Sequence, residues 1–131
     1  MKTYKRLERR EFLRVDFETS VKYSVCSDEQ VTSAASGLTK NISASGILFT
    51  TNQKLDVGTY IAISLDKHTL TDVVEIDDSV IVVDSKLLGK VVRTEELVAD
   101  KKYDIGISFL RSDSEDYDDE VAQIISILKG E

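Results

Sequence analysis

The sequence predicts a mainly-β domain: a six-stranded antiparallel β-barrel followed by a C-terminal α-helix. Two patterns and a size carry that prediction. Between Arg14 and Phe109, short apolar stretches repeat with a period of two and are separated by polar turns. After them an apolar stripe recurs at helical spacing. The 131 residues, 41% of them hydrophobic, are enough to bury one core without disulfide staples.

From Arg14 to Val25 the alternation is nearly strict. Val15, Phe17, Val21, Tyr23 and Val25 point one way, with Asp16, Glu18, Ser20, Lys22 and Ser24 opposite, the pattern of a half-buried strand. Cys26 to Ser36 is small and polar, a loop. Leu38–Ile42 and Ile47–Thr51 read as short strands around a turn at Ser43-Ala44-Ser45-Gly46, and Asp56-Val57-Gly58 is a second turn. Ile61, Ile63 and Leu65 alternate again. Val80 to Val92 supplies one long strand or a hairpin, and Ile105, Ile107 and Phe109 complete the set. About six strands with short turns favour closure into a barrel, which removes exposed sheet edges. The expected division is a basic segment over 1–14, a barrel over 15–110 and a helix over 112–129. Ser112 and Glu115 suggest a capping box for that helix. Tyr117, Val121, Ile124, Ile125 and Leu128 form its apolar stripe, and Gly130 can stop it. The stripe needs a cover, either the barrel, plugged or flanked, or a partner protein.

Charge and composition exclude several function classes. Asp and Glu number 24 against 17 Lys and Arg, a net charge of −7, which disfavours general binding to nucleic acid or anionic membranes. Cys26 is the one cysteine, so no internal disulfide forms and a reducing, cytoplasmic setting is expected. There is neither a secretory signal nor an apolar run near the roughly 20 residues of a membrane helix, so no membrane insertion is expected. His68 is the one histidine, in a polar stretch without a nucleophile elbow, and with Cys26 alone it cannot build a metal cluster. No metal site and no enzyme activity are expected.

Two clusters stand apart. Residues 1–14 hold six basic residues and two acidic ones, a local +4 within an acidic chain. Among them Arg9, Arg10 and Arg14 precede the first strand. Guanidinium groups bind phosphate bidentately and stack on flat rings, which suits a nucleotide; a solvated basic tail is the plainer alternative. The second cluster is Asn41-Ile42-Ser43-Ala44-Ser45-Gly46. Asn41 and Ser43, two residues apart on a strand end, share a face and can read a base edge. Gly46 admits a positive φ or a close backbone approach to a ligand. The alternatives are a hairpin turn whose side chains bond their own backbone and, less fittingly without an export signal, a glycosylation triplet.

Taken together, Arg-x-x-x-Arg before the first strand and Asn-x-Ser-x-x-Gly between later strands resemble the PilZ domain family, receptors for the bacterial second messenger cyclic di-GMP. Gly89-Lys90-Val91-Val92-Arg93 and Tyr103-Asp104-Ile105-Gly106-Ile107-Ser108-Phe109 are similar to that family's late strands. The resemblance runs from about Arg9 to the terminal helix and implies the same barrel and helix. It implies that Arg10 and Arg14 bind phosphate and stack on guanine, and that Asn41 and Ser43, with Gly46, meet a guanine edge. An arginine at Arg9 looks like the arrangement that holds an intercalated ligand dimer. The stretch from Lys67 to Ser79 is longer than the family's usual connection. No cofactor is implied beyond the ligand, cyclic di-GMP.

The function expected on this resemblance is a stand-alone receptor. A charged segment ahead of the first strand is expected to order on binding and so change the surface shown to a separate, unidentified effector protein. The alternative is a PilZ-type interaction module that binds no ligand. A barrel for single-stranded nucleic acid would need a basic groove and stacking aromatics, and only nine residues are aromatic. Neither cluster supplies a general base or nucleophile.

Overall fold

A computed structural model describes residues 15–16, 20–64, 78–115 and 117–130, with only the backbone of 15–16. Arg9, Arg10, Arg14, Phe17, Leu65, His68 and most of the long connection lie outside the described residues. The strands are β1 (Val15–Asp16), β2 (Ser20–Cys26), β3 (Ala35–Ile42), β4 (Gly46–Thr51), β5 (Tyr60–Ser64), β6 (Val82–Val83), β7 (Lys86–Val98) and β8 (Lys102–Phe109), followed by α1 (Asp119–Lys129). All pairings are antiparallel. The order β3-β2-β5-β7-β8-β4 closes through β3–β4 into a six-stranded barrel, with β1 on β3 and β6 on β7 as additions. The expected fold class is therefore the observed one.

Two stretches differ in detail. The alternation expected as one strand from Arg14 to Val25 is divided between β1 and β2, which lie in turn along the same partner. Val15 pairs Ile42 and Asp16 pairs Asn41, and further along β3 Ser20 pairs Leu38. Val80 to Val92 resolves as a hairpin. Asp84 (φ 53°) and Ser85 (φ 66°) take the left-handed conformation at both central turn positions, the geometry whose twist matches the flanking strands. The second strand of that hairpin then runs on to Val98.

The period of two holds because inward residues fill the barrel. Val21, Tyr23, Phe49, Ile61, Ile63 and Ile105 are among those buried there, each at most 1% exposed. The Tyr23 and Phe49 rings sit 5.1 Å apart and tilted, an edge-inclined arrangement suited to the ring quadrupoles. A second buried cluster joins Tyr60, Ala62 and Leu88 to Val121 and Ile124 of α1, with Cys26, Ile81, Val83 and Leu110. β5 is thus apolar on both faces, one toward the barrel interior and one beneath the helix. The helix flanks the barrel and does not plug it.

The helix begins later than 112. Asp118 is its N-cap, accepting a hydrogen bond from the Val121 N–H at 2.9 Å, and Gly130 (φ 80°) ends it. The Ser112–Glu115 capping box does not form. Arg111 bridges Val80, and the Ser112 N–H and hydroxyl both donate to the Ser79 carbonyl, which holds this stretch against residues 79–80 in non-helical form. Tyr117 lies ahead of the helix and is exposed.

Candidate ligand-binding site

The Asn41–Gly46 cluster lies where β3 turns into β4. The Ser43 N–H donates to the Gly46 carbonyl at 2.9 Å and closes the turn. The Ser43 hydroxyl accepts from the Ser45 N–H at 3.3 Å and stands 3.1 Å from the Ser45 hydroxyl. Bonding of Ser43 to its own turn is therefore real. The hydroxyl also donates to the Gly46 carbonyl at 3.5 Å, which leaves it one lone pair for a ligand. Asn41, Ser43, Ser45 and Gly46 line one cavity of about 260 Å³ with Val92 and Arg93 of β7 and Gly106 and Ser108 of β8.

Two β-bulges aim side chains at this cavity. In β3 the register shifts between Thr39 and Asn41. Thr39 and Ile42 are buried while Lys40 and Asn41 between them are not. A regular strand would send Asn41 to the same side as Thr39; the extra residue turns it outward. In β7 the register shifts between Val91 and Arg93, so that Val92 and Arg93 are both exposed and both line the cavity. Bulges recur beside functional sites because they re-aim a side chain without breaking the sheet.

The cavity floor is β8. Gly106 pairs with Leu48 on one side and Arg93 on the other, and Ser108 pairs with Gly46. Gly46 has a reason of its own to be glycine. Its φ is not in the left-handed region; instead a Cβ there would lie 2.0 Å from the Ile107 carbonyl oxygen. The close approach expected toward a ligand is made to the neighbouring strand.

Arg93 is the one charged side chain lining this cavity among the described residues. Its side chain is 63% exposed and pairs with Glu95 at 3.2 Å. Beyond the cavity, Asp104 is 5% exposed and accepts from the Lys40 ammonium at 2.8 Å and the Thr50 hydroxyl at 2.7 Å, linking β8 to β3 and β4. Burial pushes its pKa up, but those two hydrogen bonds and the charges of Lys40 and Arg93 outweigh burial and hold the carboxyl below its ordinary value. The Cys26 thiol lies away from the cavity, under the helix, where burial raises its pKa to about 11 despite a hydrogen bond from the Ala62 backbone. Among the described residues no group of three His, Cys, Asp or Glu could hold a metal ion, and no helix is long and apolar enough to cross a membrane.

Of the residues expected at the site, the structure brings Asn41, Ser43 and Gly46 together; Arg9, Arg10 and Arg14 are outside the described residues. Sequence reasoning missed Arg93, Gly106 and Ser108. The last two had a signal: in Tyr103–Phe109 the inward Ile105 and Ile107 leave Gly106 and Ser108, two small residues, on the outer face. Arg93 had none, because a bulge changes the face without changing the sequence period.

No curated protein matches the sequence. A solved structure described as "Structure of Bacillus subtilis Inhibitor of motility (MotI/DgrA)" has a similar fold, with a TM-score of 0.53 and 17% sequence identity. That similarity covers 95% of this chain, which spans about half (51%) of the solved one. The PilZ domain model matches residues 8–126, so that both motifs, the barrel and most of the helix fall within one match, and the chain belongs to the PilZ domain family.

Proposed function

We propose that the chain is a receptor for cyclic di-GMP that acts by binding rather than catalysis. The observation that carries this reading is the register of β1. The chain that follows Arg10 and Arg14 enters the sheet with Val15 opposite Ile42 and Asp16 opposite Asn41. Arg14 precedes Val15 by one residue, and Asn41 and Ser43 flank Ile42. In this reading that pairing would tether the arginine motif to the strand that carries the rest of the binding motif, which spacing in sequence alone does not require. The cavity of the described residues, about 260 Å³, falls below the roughly 300–1,000 Å³ of a typical small-molecule pocket. It suits one base or phosphate of the ligand, and the arginine segment would supply the remaining contacts. In this reading Arg10 and Arg14 hold phosphate and stack on guanine, Asn41 and Ser43 read a guanine edge, and Arg9 serves a second, intercalated ligand. Closing the N-terminal segment over the ligand would change the surface offered to an effector protein, in a cytoplasmic setting and without nucleic acid.

Calorimetric titration with cyclic di-GMP, with GTP and cyclic GMP as controls, tests the reading. Saturable heat with cyclic di-GMP alone is expected. Truncating one partner of a desolvated charge pair costs about 2–5 kcal/mol, roughly 30-fold to several-thousand-fold in Kd. Arg10→Ala and Arg14→Ala should each weaken binding by that much, and Arg9→Ala should lower the ratio from two ligands per chain toward one. A silent titration of the wild-type chain would overturn the reading in favour of a PilZ interaction module that binds no ligand.

A further inference from the structure

We infer that the outer face of β3, β4 and β8, away from both ligand motifs, is a docking groove for an acidic peptide segment of a partner protein, with apolar side chains among its carboxylates. The inference goes beyond the proposed receptor function and does not depend on it. The groove encloses about 620 Å³, against about 260 Å³ for the motif cavity, and no residue lines both. Strand alternation builds it. In β3, Leu38 and Lys40 stand outward on either side of the buried Thr39. Thr50 of β4 lies opposite Leu38, and Lys102 of β8 lies opposite Val98 at the end of the β7–β8 hairpin. Along β8 the outward positions pass from Gly106 at the motif cavity, through the Asp104 that binds Lys40 and Thr50, to Lys102 in the groove.

The lining selects the occupant. Leu38 is 45% exposed and Val98 47%, so both present apolar surface to water. Grouped exposed apolar side chains mark interaction surfaces. Lys40, Lys101 and Lys102 share the lining, and among the described residues no carboxylate does. The Lys40 ammonium is held by Asp104, whereas Lys101 and Lys102 are exposed and form no ion pair among the described residues. Positive charge is thus gathered at one place on a chain of net charge −7. A bare anion would leave Leu38 and Val98 wet. A basic or uncharged apolar segment would leave the ammonium groups unanswered. Carboxylates interleaved with apolar side chains answer both, and such charge complementarity governs partner choice and the rate of encounter.

Fluorescence anisotropy of a labelled peptide of Glu-Glu-Leu-Leu repeats, titrated with the full chain in the absence of cyclic di-GMP, tests the groove independently of the receptor reading. Saturable binding that weakens as salt rises is expected. A Glu-Glu-Ser-Ser peptide should bind more weakly, and a Lys-Lys-Leu-Leu peptide should not bind. An exposed ion pair is worth up to about fivefold in Kd. Combining Lys101→Glu with Lys102→Glu removes such pairs and adds repulsion, so a loss of at least about tenfold is expected. Leu38→Ser should weaken binding by about three- to tenfold through lost apolar burial. Lys54→Glu, outside the groove, should leave binding unchanged. Thermal unfolding of the Lys101→Glu, Lys102→Glu chain should match wild type, because both side chains are exposed. Failure of the Glu-Glu-Leu-Leu peptide to bind, equal binding of the Lys-Lys-Leu-Leu peptide, or unchanged affinity in the groove variants would overturn the inference. So would lysine-dependent binding to phosphatidylserine vesicles in place of the peptide, or salt-sensitive self-association in sedimentation that the groove variants abolish, since either would give the groove a different occupant.

Discussion

Replacing Gly46 by alanine separates the fold from the candidate ligand site at the residue where the two coincide. The added Cβ would lie 2.0 Å from the Ile107 carbonyl oxygen and 3.1 Å from its carbon. The obstacle is backbone, so no side-chain rotation relieves it, and β4 must move away from β8 by about 1 Å to restore an ordinary contact of 3 Å or more. The strand pair carries Gly46↔Ser108 and Ile47↔Ile107 at that end. Overpacking of this kind costs about 1–3 kcal/mol, and a weakened ladder hydrogen bond adds about 0.5–1.5 kcal/mol. A loss near 3 kcal/mol is expected, which for a chain of this length lowers Tm by about 10 °C. Differential scanning calorimetry without ligand provides the measurement. Gly58→Ala is the control: its φ is +98° and nothing lies within 4 Å, so backbone strain without a steric clash should cost about 1–2 kcal/mol. Gly46→Ala melting within 2 °C of wild type, or above Gly58→Ala, would refute the steric account and return Gly46 to a purely ligand-facing role.

Asp104→Asn should change how stability depends on acid. The carboxyl titrates below its ordinary value in the fold, so its contribution is complete above about pH 4, the unfolded value, and is lost as pH falls through the lower folded one. At pH 7 the variant should lose about 1.5–3 kcal/mol, the worth of hydrogen bonds to a charged group, and urea midpoints followed from pH 7 to pH 2.5 should converge with wild type at the acid end; a constant gap would refute the assignment. Asp118→Ala should cost about 1 kcal/mol as a lost N-cap, whereas Ser112→Ala should cost about 0.5 kcal/mol or less. Urea titration that ranks Ser112 above Asp118 would place the start of the helix wrongly here.

The sequence by itself determined the class of fold and the contents of the core. A period of two is a local property, so Val21, Tyr23, Ile61, Ile63, Ile105 and Ile107 could be assigned to one face before any strand was paired. The stripe of Val121 and Ile124 could likewise be seen to need a cover, and Asn41, Ser43 and Gly46 could be grouped by spacing and by family resemblance. Tertiary structure alone decided the rest, because it depends on which strand lies beside which. Pairing with β4 and β8 introduced the bulges at Asn41 and Arg93, and a bulge reverses the face of every residue beyond it while leaving the sequence unchanged. Bridging of Arg111 to Val80 kept Ser112 out of the helix and passed the cap to Asp118. The approach of β4 to β8 made Gly46 a steric necessity. Arg93 joined the site for the same reason: it stands 52 positions from Asn41 in the sequence, and only the closed barrel brings β7 and β3 to the rim of one cavity.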